Sequence, residues 1–177
     1  MIPIRDQLPT RTVPFVNYGL LFVTVAAFLF QNLVAVGGYS GFTQDWGFVP
    51  LRFLHEPLSD SITVFSSMFL HGGLMHLLGN MLFLWIFGDN VEDALGHRRY
   101  LLFYLLGGLF AAFAQLLVDP TSTVPMIGAS GAISAVLAAY VTMYPKARVT
   151  VLMPIFFLFT FLEFPAWLVI LEWFVLQ

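Results

Sequence analysis

Two short runs hold polar residues inside otherwise apolar sequence, and both have the composition of a reacting site. The first reads His71-Gly72-Gly73-Leu74-Met75-His76-Leu77-Leu78-Gly79-Asn80. On a helix, His76 and Asn80 are four residues apart and share a face, one turn from each other. An imidazole N–H and a carboxamide N–H on one face are two donors for a developing oxyanion. His71, five before His76, is expected to point away from that face and to anchor a loop at the outer end. The second run is Gly128-Ala129-Ser130-Gly131-Ala132. A serine at the mouth of a helix lies among backbone N–H groups that have no acceptor in the first turn. Acyl transfer needs that pairing, a hydroxyl nucleophile beside donors aimed at the oxyanion.

Plainer readings account for part of this. A His/Asn pair in a membrane helix also serves as interhelical hydrogen-bonding glue, and Gly131, Ala135 and Ala139 form a small-xxx-small stripe for close helix contact. The stripe explains the glycine and the alanines but does not require the serine. A metal or haem site on His71 and His76 is weak, because the spacing divides them between faces and no carboxylate lies at the same depth. An ion-coupled transporter is weaker, since the first four apolar segments carry no buried Asp, Glu, Lys or Arg. Glu163 and Glu172 are exceptions in the last segment only.

The elements that must carry these residues follow from composition. Of 177 residues, 59% are hydrophobic and 10% charged, against roughly 25% charged in soluble domains. A water-solvated surface cannot be built from this alphabet, and neither can a disordered chain. With no cysteine there is no disulfide and no thiolate metal site or nucleophile. A net charge of −3 with seven Lys and Arg offers no basic patch for nucleic acid. Residues 12–44, 61–88, 100–118 and 121–145 contain no charge. A spanning helix needs about 20 residues, so each gap supplies one. The expected class is an all-α polytopic membrane protein with helices near 14–36, 61–88, 99–118, 128–145 and 155–177. The fifth is the least regular: its Phe-rich first half could lie at the interface, and from Pro165 onward it reads as a helix start. An outer loop covers 37–60, and its aromatics suit headgroup depth.

Alternate crossings put Arg5, Arg11, Arg98, Arg99, Lys146 and Arg148 on one side and Arg52 alone on the other. That bias places the N-terminus in the cytoplasm. The first apolar run is too long for a cleaved signal and lacks a small-x-small cleavage site.

His-x-x-x-Asn on one spanning helix and Gly-x-Ser-Gly at the start of another, two crossings later, resemble the rhomboid family of intramembrane serine proteases. The segments Trp46-Gly-Phe-Val-Pro50, Gly88-Asp-Asn-Val-Glu92-Asp-Ala-Leu-Gly96 and Pro165-Ala-Trp-Leu also look like bacterial rhomboids. The resemblance implies a six-helix bundle in a bacterial plasma membrane, cutting transmembrane substrates from a water-filled cavity open to the outside, without cofactor or metal. Ser130 would be the nucleophile. Its backbone N–H, His76 and Asn80 would line the oxyanion hole, supported by Gly128, Ala129, Gly131 and His71. Glu92 and Gly96 would fix the turn after the second helix. Partners would be transmembrane proteins and the lipid bilayer.

Rhomboids draw their general base from a histidine on a sixth helix. None of His55, His71, His76 and His97 follows Ser130. The sequence is therefore expected to be a rhomboid cut short before that helix, inert by itself, with the small-residue stripe of the fourth helix facing lipid or another chain. A catalytically inactive rhomboid-like protein that binds membrane helices is the alternative.

Overall fold

The computed structural model describes residues 1–155 and 158–176. Strand β1 (Ile2–Asp6) precedes the long helix α1 (Phe15–Val36), which the pair Gly37-Gly38 ends, Gly38 at φ +96°. Four short helices follow: α2 (Phe42–Trp46), α3 (Pro50–His55), α4 (Pro57–Asp60) and α5 (Thr63–Ser66), then a 3₁₀ turn over Ser67–Phe69. Two further long helices are α6 (Leu74–Leu95) and α7 (His97–Val118), and α8 (Ser130–Met143) is shorter. The antiparallel strands β2 (Arg148–Ile155) and β3 (Leu158–Pro165) lead into α9 (Ala166–Leu176).

Three of these helices, α1, α6 and α7, are long and apolar enough to cross a membrane. Their outer surfaces confirm the solvent. Helix α1 buries only Asn17, Leu20 and Thr24, while Phe22 is 74% exposed. An apolar rim over a polar-lined interior suits lipid and not water. The molecule is a predominantly helical membrane protein, as its composition requires.

Helix α6 is the axis of the bundle and packs against α1, α7 and α8. Its Phe87 and the partners Tyr100, Tyr104, Leu137 and Tyr140 are all fully buried. At the inner end Glu92 is fully buried. It accepts from the first free N–H groups of α1, Val16 at 3.1 Å and Asn17 at 2.7 Å, and pairs with His97 Nδ1 at 2.5 Å. A carboxylate at a helix N-terminus meets both the orphan donors and the positive end of the dipole. Gly96, at φ +78°, then turns the chain sharply into α7.

Several sequence expectations are corrected. The second helix runs over Leu74–Leu95 and not 61–88. Residues 61–70 fold into short helical turns because Gly72-Gly73 interrupts the ladder, and the acidic residues that ended the charge-free gap are absorbed at the inner end. The outer loop over 37–60 is itself largely short helices. The fifth helix does not begin at 155 but at Ala166. Within the preceding run, Val149 and Val151 face the core while Thr150 and Glu163 do not. That period of two, with Pro154 forbidding a helical ladder, selects strands. Residues 156, 157 and 177 of the expected helix lie outside the described residues. Finally, the stripe on α8 does not face lipid. A Cβ on Gly131 would lie 2.4 Å from Ala111 Cβ, and one on Gly107 would lie 2.6 Å from Ala135 Cβ. Small residues on both helices meet each other, so α7 is the partner.

Strand β1 pairs with β2 in a three-stranded sheet, setting Arg5 opposite Thr150 and Asp6 opposite Val149. Basic residues from the N-terminus and from the segment after α8 thereby share one end of the fold. Asp6 accepts from Tyr140 Oη at 2.6 Å, and burial holds its carboxyl above the ordinary range.

Candidate active site

The two polar runs meet. Ser130 opens α8, with the buried Ala129 as its cap residue, whose carbonyl accepts the first ladder bond from Ile133 N–H at 2.9 Å. The N–H groups of Ser130, Gly131 and Ala132 precede that ladder, so three donors stay clustered around a half-buried hydroxyl. Upstream, Gly128 N–H donates to Ser67 C=O at 2.9 Å, and Met126 pairs with Phe48 through bonds of 2.8 and 3.1 Å. The short outer helices thus hold the strand that enters α8.

Gly128 is where α6 touches this strand. Its φ is +118°, and a Cβ there would sit 2.8 Å from both Nε2 and Cε1 of His76 and 3.9 Å from Ser130 Oγ. Only glycine tolerates that backbone and that approach. The imidazole and the hydroxyl therefore border the same small space over Gly128. Gly72 N–H donates to His76 Nδ1 at 3.5 Å. A neutral ring accepting at Nδ1 would carry its proton on Nε2, the atom facing Gly128.

Asn80, one turn inward, is buried, and its Nδ2 donates to His76 C=O at 2.9 Å. The amide has a second N–H, and its Oδ1 has no protein partner. His71 departs from expectation. It lies before the helix, outside its periodicity, so it does not point away: its ring folds back against His76, centroids 4.9 Å apart and edge to face. It is fully buried, and neither ring nitrogen has a hydrogen-bond partner among the described residues. His55 is exposed at the end of α3, and His97 sits at the opposite end of α6. Among the described residues, no hydrogen bond joins Ser130 Oγ to any imidazole.

Sequence reasoning passed over Gln31 on α1. Its Nε2 donates to His71 C=O at 2.7 Å and its Oε1 accepts His71 N–H at 3.3 Å. A carboxamide within an apolar gap of spanning length was the available signal.

The fold is a polytopic helical bundle in which a serine at a helix mouth and a histidine from a neighbouring helix meet across Gly128. A rhomboid domain model matches residues 59–177, and the chain belongs to the rhomboid family, a serine protease class. Similar curated proteins include presenilin-associated rhomboid-like protein A, mitochondrial, of Danio rerio, 39% identical over 93 residues, covering 50% of this chain and 24% of that protein. The presenilin-associated rhomboid-like protein, mitochondrial, of Homo sapiens is 35% identical over 96 residues, 53% of this chain and 25% of that one. Rhomboid protein 1, mitochondrial, of Saccharomyces cerevisiae is 30% identical over 122 residues, 66% of this chain and 35% of that one. The matches span about a quarter to a third of these relatives' lengths.

Proposed function

We propose that the protein is an intramembrane serine endopeptidase that cuts transmembrane segments of other membrane proteins, with Ser130 as nucleophile. The observation that carries this reading is the space over Gly128, bordered by Ser130 Oγ and by the Nε2 edge of His76. A scissile carbonyl arriving beside this junction, not within it, would present its carbon to Oγ. The negative charge forming on its oxygen would meet Ser130 N–H, His76 Nε2–H and the free N–H of Asn80. Ser130 Oγ forms the bond to carbon and the peptide nitrogen leaves with a proton. Water then releases the acyl group from the serine.

Depth supports the same reading. Helix α8 has 14 residues, so at 1.5 Å per residue it spans about 21 Å, less than a ~30 Å core. With its inner end at the interface, Ser130 lies below the outer surface, where a transmembrane segment can reach it. The Lys/Arg bias orients that surface away from the cytoplasm, in a bacterial plasma membrane as the resemblance to bacterial rhomboids implies.

Activating Ser130 requires a proton acceptor. The rhomboid resemblance gives that role to a histidine on a further helix, with His76 as a donor on the Ser130 side. Fluorophosphonate labelling of the protein in membranes tests the reading. Ser130→Ala should remove the label entirely, and His76→Ala should slow substrate cleavage about 10²–10³-fold, the value of one oxyanion donor. Cleavage undiminished in His76→Ala would return the His/Asn pair to a purely structural role.

A further inference from the structure

Helix α1 contributes no residue to the site described, yet one of its side chains grips the turn that leads into it. Gln31 presents its carboxamide to the backbone of His71, donating to the carbonyl at 2.7 Å and accepting from the N–H at 3.3 Å. Both backbone groups of one residue are thereby held by one planar side chain.

The consequence lies one atom further on. The His71 carbonyl and the Gly72 N–H belong to the same peptide unit, which is planar and trans, so the two groups point in opposite directions. Fixing the carbonyl toward α1 fixes the N–H toward α6, where it meets His76 Nδ1 at 3.5 Å. Nothing local would otherwise set that direction, because Gly72 and Gly73 are permissive in their own dihedrals. His71 itself is fully buried and packs its ring edge to face on His76, 4.9 Å between centroids. The imidazole of His76 is therefore held by a ring contact and by one backbone donor, and the donor's aim is set from α1.

We infer that Gln31 is a positioning residue that selects the Nε2–H tautomer of His76 through the His71–Gly72 peptide. This rests on the reading of His76 as an oxyanion donor for its functional meaning, though not for its measurement. If Gln31 is lost, the peptide is free to rotate. The Nδ1 of His76 then loses its donor, and the ring partitions between its two neutral tautomers. A fraction of molecules would then present an Nε2 lone pair, not a proton, toward Gly128.

The test is ¹⁵N spectroscopy of histidine-labelled full chain in lipid nanodiscs at a pH where the rings are neutral. The 177 residues contain His55, His71, His76 and His97, and single His→Gln variants assign their signals. In the native protein His76 should show an unprotonated Nδ1 and a protonated Nε2. Gln31→Ala should add a second His76 population protonated on Nδ1, as should Gln31→Glu, which keeps the acceptor for His71 N–H and loses the donor. Gly72→Ala retains the N–H, and a Cβ there meets only ordinary contacts, Ile127 at 3.7 Å and His76 Nδ1 at 3.9 Å. It should leave the signal as in the native protein. A native His76 protonated on Nδ1, or one unchanged by both Gln31 substitutions, overturns the inference. No substrate is needed, so this outcome is separate from whether Ser130 cleaves. In a cleavage assay, Gln31→Ala should lower kcat with KM unchanged.

Discussion

Gly128 is the residue on which the site's geometry turns. It must adopt φ +118° and must leave room for an imidazole 2.8 Å from where a Cβ would be. Gly128→Ala therefore adds backbone strain of about 1–3 kcal/mol and pushes His76 off the strand. Gly73, with extended backbone and nothing within 4 Å of a Cβ, is the matched control. Gly128→Ala should lower the thermal midpoint in detergent and abolish labelling of Ser130, while Gly73→Ala should leave both near native. At this scale the sequence was informative about which residues meet. Serine at a helix mouth and His/Asn at a spacing of four are patterns that local geometry constrains. It misled on His71, because helical periodicity was extended to a residue that the Gly72-Gly73 break places outside the helix. It was silent on Gln31, whose partner is a backbone group 40 positions away, and no spacing rule reaches that far.

Helices α7 and α8 show the same divide at the scale of elements. A stripe of small residues on α8 was legible as a contact surface, but not what it contacts. Gly107 and Ala111 on α7 answer it, and the close approach of Gly131 to Ala111 leaves no space for a methyl group. Gly131→Ala should cost about 1–3 kcal/mol by overpacking, read as a lowered unfolding midpoint. Gly19→Ala on α1, with nothing within 4 Å of a Cβ, should not. The β2–β3 hairpin was hidden by composition. A run of Val, Leu, Phe and Met is apolar on any scale, and only the alternation of burial, with Pro154, separates strand from helix. Charge-free gaps located the long helices but misplaced the ends of α6, since Glu92 is buried and partnered at the start of α1 and so does not mark a helix end.

The whole molecule is organised by two ends of unlike chemistry. At one, Glu92, Asn17 and Tyr100 bind α1 to α6 and α7, with Tyr100 Oη donating to Asn17 Oδ1 at 2.8 Å, and the β1–β2 pairing gathers basic residues nearby. At the other, the outer helices are tied together by Arg52, which bonds Asp60 at 2.6 Å and the Gly47 carbonyl at 2.7 Å. In the orientation proposed above from the six-to-one bias of Lys and Arg, the first end would be cytoplasmic. The chain has no native cysteine, so single replacements report cleanly. A cysteine at Ser59 or Thr121 should react with an impermeant thiol reagent applied outside intact cells, and one at Arg98 should not. The reverse pattern would invert the orientation.

The central claim is that Ser130 cuts a peptide bond inside the membrane, and cleavage of a transmembrane substrate by the protein in proteoliposomes tests it most directly. The Ser130→Ala protein, folded and inserted as the native one, should yield no product, because only the hydroxyl is lost. Product formed at the native rate would contradict the account and leave Ser130 as part of the packing between α7 and α8.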